Sequence, residues 1–266
     1  MKSPDSVSET TMQTWAARQL ADYDACQPGT LFADGLSLTV AEGYKLQSEV
    51  ARLRCRRGEW TIGYKVGCTS PKIRAQLGID HCISGRLYDG ERHASGSVLS
   101  RQRFANLAVE GELAIELSRT PTTDDFYGAL LPKCVSRVFP VIELHNHVVH
   151  GKAASAGELI ANNAIHAGFV AGDGVAPEDV SDFAGQPSLR ILADDRLLED
   201  CAGAQLLHTI HSSLNWLMGR LRDVEQQLTA GQIVLTGSIP RLIPIDHRCC
   251  LRVDASPFGS VEATFE

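Results

Sequence analysis

The fold of this chain is decided by the stretch Leu107-Ala108-Val109-Glu110-Gly111-Glu112-Leu113-Ala114-Ile115-Glu116-Leu117. Its apolar residues and its length are typical of a buried β-strand. Because side chains alternate between the two faces of a strand, Glu110 and Glu112 share one face while Val109 and Leu113 share the other. Two carboxylates are therefore expected side by side on a strand that otherwise belongs to the core.

A third acid, Glu143, lies in a second apolar stretch, Phe139-Pro140-Val141-Ile142-Glu143-Leu144. Burying several carboxylates together is costly unless positive charge compensates them. A divalent cation provides that charge, and oxygen ligands favour a hard ion such as Mg²⁺ or Mn²⁺. The alternative is a solvated acidic face, because strands that alternate polar and apolar residues are common in antiparallel sheets. The pattern predicts either a metal site or an acidic surface.

The composition is that of an ordinary globular protein, with 266 residues, 44% hydrophobic and 21% charged. The net charge of −7, without a basic stripe, argues against nonspecific binding of nucleic acid or of an anionic membrane. The eight cysteines form no C-x-x-C pair, so neither structural zinc nor a disulfide framework is expected. The polar N-terminus and the absence of an apolar stretch of about 18 residues predict a cytoplasmic protein.

Helices are expected early in the chain and strands later. Residues 11–24 and 203–221 place apolar side chains at helical spacing, and Thr39-x-x-Glu42 forms a capping box that begins a helix running to residue 53. Strands are predicted at residues 60–67, 107–117, 139–144, 188–193, 196–198, 233–236, 250–253 and 261–265. This order predicts an α+β fold with a mixed or mostly antiparallel sheet.

Five segments combine small residues, a lysine, the three acids and a histidine in a fixed order. They are Gly63-Tyr64-Lys65-Val66-Gly67-Cys68-Thr69-Ser70, Val109-Glu110-Gly111-Glu112-Leu113-Ala114, Pro140-Val141-Ile142-Glu143, Ala161-Asn162-Asn163-Ala164-Ile165-His166-Ala167-Gly168-Phe169 and Ile233-Val234-Leu235-Thr236-Gly237-Ser238. Their combination resembles the fumarylacetoacetate hydrolase superfamily, in the branch of the 2-oxopent-4-enoate hydratases and 4-oxalocrotonate decarboxylases. The spacing of 33 residues between the first and third acids also matches that branch.

The resemblance implies a β-rich, mixed-sheet fold of the fumarylacetoacetate hydrolase type with N-terminal helices. Residues 1–58 would be a helical segment and residues 59–266 a β-rich catalytic domain, together one structural unit. It also implies that Glu110, Glu112 and Glu143 hold Mg²⁺ or Mn²⁺ and that Lys65 lies near the carboxylate or oxo group of a substrate. The resemblance also implies a homo-oligomer, either alone or associated with a related pathway enzyme.

The implied activity is that of a metal-dependent lyase. It would hydrate a short unsaturated 2-oxo acid, or its 2-hydroxydienoate enol, through a metal-bound enolate in aromatic-compound catabolism. Alternatives are a decarboxylase of the 4-oxalocrotonate type, an acylpyruvate C–C hydrolase and a non-catalytic partner subunit of the same fold. The candidate substrate-binding residues are Lys65, Asn163, Thr236 and Ser238, although a plain strand-to-loop turn also explains the last two.

The chain departs from the family pattern where acid/base groups are expected. Ile83 stands where hydratases of this group carry an aspartate, and Ile165 lies in the element that usually contains a serine. Histidines appear nearby, and we hypothesise that His145 or His166 is the general acid/base, because imidazole titrates near neutral pH. The alternative for each is a hydrogen-bonded structural histidine. If both isoleucines line the pocket without an opposing titratable group, the non-catalytic subunit is favoured.

Overall fold

The structure is a computed structural model that describes residues 7–128, 130–147, 154–179 and 187–266. Within these ranges the α-helices are α1 (Glu9–Asp24), α2 (Thr30–Ala33), α3 (Val40–Arg56), α4 (Pro71–Leu77), α5 (Ala156–Ala161) and α6 (Gln205–Arg222). Helix α3 begins with the predicted capping box, in which the Thr39 hydroxyl accepts a hydrogen bond from the Glu42 amide. None of the described helices has the length and hydropathy that a bilayer span requires.

Strands make up most of the rest of the described chain. They are β1 (Thr61–Gly67), β2 (Ile83–Tyr88), β3 (Arg92–Ala94), β4 (Ser97–Leu99), β5 (Leu107–Leu117), β6 (Val135–Asn146), β7 (His166–Ala171), β8 (Ser188–Ala193), β9 (Arg196–Ala202), β10 (Ile233–Leu235), β11 (Ile243–Pro244), β12 (Cys249–Ser256) and β13 (Gly259–Phe265). The predicted α+β, mixed-sheet fold class is confirmed, because parallel and antiparallel pairs both occur.

The strands form two sheets in the described part of the chain. The larger has the order β2-β1-β10-β5-β6-β7-β3, with β11 also paired to β5, and the smaller has the order β4-β13-β12-β8-β9. The centre of the larger sheet is the long antiparallel pair of β5 and β6, which runs from Leu107 opposite Asn146 to Leu117 opposite Val135. Strand β6 is longer than predicted at both ends, and its extension brings His145 into the sheet.

The two sheets and helix α6 enclose the main hydrophobic core. The face of β5 that carries Val109, Leu113 and Ile115 is buried in this core. The smaller sheet approaches so closely that a Cβ atom on Gly111 would lie 2.8 Å from Cδ1 of Ile191. A glycine between the two glutamates of β5 is therefore required by sheet packing. The acids project to the opposite face.

The N-terminal helices are joined to the larger sheet by buried polar contacts. The Gln47 side chain donates hydrogen bonds to the carbonyl oxygens of Ser84 and Ile160, both at 2.9 Å. The guanidinium of Arg54 is buried and forms ion pairs with Glu59 and Glu91. The predicted division at residue 58 within one structural unit stays a prediction.

Gly63 is expected to be essential for strand β1, which carries Lys65. A Cβ atom at this position would lie 1.9 Å from the carbonyl oxygen of Ile233 on the neighbouring strand. We expect Gly63→Ala to lower the free energy of unfolding in urea by about 3 kcal/mol or more. Gly90→Ala is the matched control, because a Cβ atom placed there would have no other atom within 4 Å, and a change within about 0.5 kcal/mol is expected. Equal losses in the two variants would contradict the steric argument.

Candidate active site

The register of strands β5 and β6 brings the acids together. Glu110 is directly opposite Glu143, and directly opposed residues of an antiparallel pair project to the same side of the sheet. Glu112 and His145 lie two residues further along their strands and share that side. Glu112 and Glu143 are only 2% and 1% exposed, so the alternative of a solvated acidic face does not hold for them. The Glu110 side chain is 23% exposed and forms the more accessible part of the cluster.

One lysine and two histidines surround these carboxylates. Lys65 lies on β1, beyond the intervening strand β10, and its Nζ is 3.3 Å from Oε1 of Glu143. Nδ1 of His166 is 2.7 Å from the same oxygen. Nε2 of His145 lies 3.3 Å from Oε2 of Glu110 and 3.5 Å from Oε2 of Glu143. Glu143 is thus the centre of the cluster.

Burial and neighbouring charges shift the pKa values of the buried groups in the cluster in different directions. Burial, together with the negative charges of Glu143 and Glu110, raises the pKa of Glu112 well above its usual range. Burial opposes ionisation of Glu143 as well, but Lys65, His145 and the hydrogen bond from His166 overcome it and lower the pKa of this carboxyl. Burial would lower the pKa of Lys65, yet the three carboxylates overcome that effect and raise it. Lys65 is therefore protonated at neutral pH.

The donor set fits a divalent cation. Ligand atoms of Glu110, Glu143 and His145 all lie within 4.8 Å of one another. Oε2 of Glu112 accepts a hydrogen bond from the Gly237 amide, whereas its buried Oε1 has no hydrogen-bond partner among the described residues. The predicted ligand set of three glutamates stays a prediction. In the described part of the chain, the group that meets this distance contains His145 in addition to two of those acids.

The loop before β7 places His166 through an unusual backbone. Asn163, Ala164 and Ile165 have φ values of 56°, 53° and 57°, three consecutive residues in the left-handed region. Such conformations cost energy in residues other than glycine and persist where the surrounding structure enforces them. Here the turn directs the carbonyl of Ala164 towards Nζ of Lys65, at 3.4 Å, and leads into His166. The sequence contains no glycine that would have signalled this turn.

The predicted substrate-binding residues other than Lys65 are engaged by the protein itself. The Asn163 amide accepts a hydrogen bond from the backbone nitrogen of Arg86 and donates one to its carbonyl oxygen, at 2.7 and 2.8 Å. The Thr236 hydroxyl donates to the carbonyl of Leu113, and the Ser238 hydroxyl donates to the carbonyl of Pro240. Substrate binding by Asn163, Thr236 and Ser238 therefore stays a prediction. The sequence did not single out the Gly237 amide as the group that holds Glu112.

The two isoleucines that mark the departure from the family pattern have different surroundings, and Ile83 lies near Lys65, since a Cβ atom on Gly67 would be 3.6 Å from Cγ1 of Ile83 and 3.2 Å from Nζ of Lys65. Ile83 is 2% exposed and packs in a small apolar cluster with Ile160 and Ala164. Ile165 lines a different cavity, beside helices α1 and α3. Two titratable side chains, His145 and His166, lie against the carboxylates. This arrangement favours an enzyme over a non-catalytic subunit.

Comparison with known proteins agrees with this picture, although no protein-family model matches the chain. The 2-oxo-hept-4-ene-1,7-dioate hydratase of Escherichia coli is 28% identical over 239 residues, 86% of this chain and 87% of that protein. The 4-oxalocrotonate decarboxylase of Pseudomonas putida is 26% identical over 234 residues, 86% of each protein.

The fold is also that of a solved structure. The 4-oxalocrotonate decarboxylase from Pseudomonas putida G7, complexed with magnesium and adipate, matches with a TM-score of 0.87 at 22% sequence identity, covering 99% of this chain and 100% of that one. The resemblance predicted from the five segments is thereby confirmed. This chain is therefore similar in sequence to a hydratase and a decarboxylase, and it shares the fold of a 4-oxalocrotonate decarboxylase.

Proposed function

We propose that this protein is a divalent-metal-dependent lyase that hydrates a short unsaturated 2-oxo acid or its 2-hydroxydienoate enol. The observation that carries the proposal is the largely buried cluster of three carboxylates, one lysine and two histidines around a single sheet face. Glu110, Glu112 and Glu143 would hold the cation. When bound, the cation would supply Lewis-acid stabilisation of negative charge on the substrate's oxo oxygen.

Lys65 would provide a second, fixed positive charge at the same place. Its ammonium group is buried beside Glu143 and stays protonated, because the surrounding carboxylates raise its pKa. An ammonium group in a buried site stabilises negative charge that develops on a neighbouring oxygen without reorganising solvent. Lys65 would therefore contact the carboxylate or oxo group of the substrate.

His166 would hold the proton that is moved along the substrate's conjugated chain. Its Nδ1 is engaged by Glu143, which fixes the orientation of the ring. Its Nε2 is buried and has no hydrogen-bond partner in the described ranges. A histidine with one nitrogen oriented by a carboxylate and the other free is suited to proton transfer near neutral pH. His166 is therefore the residue that we assign as general acid/base.

Decarboxylation of a 2-oxo acid is the second candidate. It is favoured by the similarity in sequence to a 4-oxalocrotonate decarboxylase over 86% of the chain. Both reactions develop negative charge on the same oxo oxygen and so require the same cluster. They differ in whether water adds to the distal alkene or a carboxylate leaves as CO₂. Acylpyruvate hydrolysis has no comparable support among the observations above.

A metal-dependent assay with three substrates tests the proposal. Protein stripped with EDTA is expected to be inactive towards 2-hydroxypenta-2,4-dienoate, and addition of Mg²⁺ or Mn²⁺ is expected to restore the loss of the dienol's ultraviolet absorbance. Formation of 4-hydroxy-2-oxopentanoate identifies hydration, whereas CO₂ release from 4-oxalocrotonate identifies the decarboxylase. Cleavage of an acylpyruvate alone, or full activity of the stripped protein, would contradict the proposal.

The remaining expectations extend this proposal. They include Mg²⁺ or Mn²⁺ as the resident ion and a role in aromatic-compound catabolism. They also include assembly as a homo-oligomer, with or without a related pathway enzyme. Light scattering of the purified protein tests the assembly. A cytoplasmic location is supported by the cysteines, since all eight lie within the described residues and are unpaired.

A further inference from the structure

His145 is a buried histidine whose hydrogen-bonding capacity is unused. It is 2% exposed, and neither Nδ1 nor Nε2 has a hydrogen-bond partner in the part of the chain that the structure describes. A buried polar group without a partner costs roughly 1–3 kcal/mol, so its presence requires an explanation. The proposed function leaves this histidine without an assigned chemical step.

Nε2 of His145 lies close to two carboxylates. It lies 3.3 Å from a Glu110 oxygen and 3.5 Å from a Glu143 oxygen, near both carboxylates but hydrogen-bonded to neither. Ligand atoms about 2.1 Å from a six-coordinate ion lie about 3 Å from their neighbours. The separations around Nε2 are close to that spacing. They are therefore those expected of atoms that surround one cation.

We propose that His145 is itself a metal ligand through Nε2, so that the site holds its ion with both carboxylate oxygen and imidazole nitrogen. This inference rests on the proposed metal-dependent function and specifies the chemistry of its cation. Strand β6 continues past Glu143 to Asn146, which keeps His145 on the face of the acids. The small side chain of Ala108, directly opposite His145, leaves room for the ring.

The two histidines then have separate tasks. His166 donates or accepts at Nδ1 with Glu143 and so orients that ligand from outside the coordination sphere. His145 has no such contact and faces the carboxylate oxygens directly. Because imidazole suits transition metals better than Mg²⁺, the site should prefer Co²⁺ or Zn²⁺ over Mg²⁺ more strongly than a site of carboxylates alone.

Pulsed electron paramagnetic resonance of the Mn²⁺-loaded protein tests this ligand without an activity assay. We expect the wild-type protein to show the ¹⁴N coupling of a directly bound imidazole. The coupling should be lost in His145→Gln and retained in His166→Gln. In equilibrium titrations, His145→Gln should also reduce the ratio of Co²⁺ to Mg²⁺ affinity by at least about tenfold, with His147→Gln, on an exposed neighbour, as the matched control.

The possible results separate this inference from the proposed function. Bound Mn²⁺ without ¹⁴N coupling in the wild-type protein overturns the ligand role of His145 and leaves the metal-dependent lyase intact. Coupling that persists in His145→Gln and disappears in His166→Gln assigns the ligand role to the other histidine and also overturns it. No binding of Mn²⁺ at all contradicts both proposals. If His145→Gln does not fold, the wild-type spectrum and His166→Gln still test the inference, because coupling must be present in the first and retained in the second.

Discussion

Replacing Glu143 by glutamine is expected to lower kcat/KM by at least about a thousandfold, because a metal ligand that contributes several kcal/mol to catalysis would be lost. Glu143 is 1% exposed and lies within 3.5 Å of Lys65, His145 and His166. The substitution keeps the shape of the side chain but removes the negative charge that organises these three groups. The measurement is steady-state kinetics at saturating metal, combined with the metal content of the purified variant, which we expect to fall.

The matched control is Glu116→Gln. Glu116 lies on strand β5, next to the strand of Glu143, and on the same face as Glu110 and Glu112. Glu116 forms an ion pair with Arg137 at 2.5 Å, away from the cluster, and its side chain is 31% exposed. We expect its turnover and metal content to stay within about twofold of the wild-type values, since exposed pairs contribute little. Full turnover in Glu143→Gln, with the fold verified by circular dichroism, would contradict the assignment of this cluster as the active site.

The second large effect is expected for Lys65→Met. Removing this buried cation should lower kcat by about 10²–10³-fold, the range observed when one preorganised electrostatic contact to a developing negative charge is deleted. The effect should fall mainly on kcat if Lys65 acts on charge that develops during the reaction, and on KM if it only holds the substrate carboxylate. Steady-state kinetics with the hydratase substrate separates the two.

Metal binding distinguishes Lys65→Met from the ligand variants. Nζ of Lys65 lies 3.3 Å from Glu143 and repels any cation in the cluster, so its removal should leave metal affinity unchanged or raise it. Lys72→Met, on an exposed position of helix α4, controls for the loss of one positive charge and should leave both affinity and turnover unchanged. Loss of metal from Lys65→Met would show that the lysine supports the fold of the site rather than the reaction.

Local signals in the sequence predicted the elements with strong patterns. Strand β5 was predicted with its observed limits, residues 107–117, because its apolar run and the alternation around the acids extend over its full length. The start of α3 was predicted from its capping box, which is complete within four residues. The end of β6 was missed because His145 and Asn146 are polar. They remain extended because they pair with Ala108 and Leu107 on the neighbouring strand.

The chain itself determined which side chains share a face, because the alternation of a strand is a local property. It therefore placed Glu110 beside Glu112 and Glu143 beside His145. Only the tertiary structure decided that these two pairs meet, since the register of β5 against β6 depends on contacts distant in sequence. The same holds for Lys65, which reaches the acids across strand β10, and for His166, which a left-handed turn without glycine directs towards Glu143. Such distances depend on the packing of the whole sheet, which no local pattern encodes.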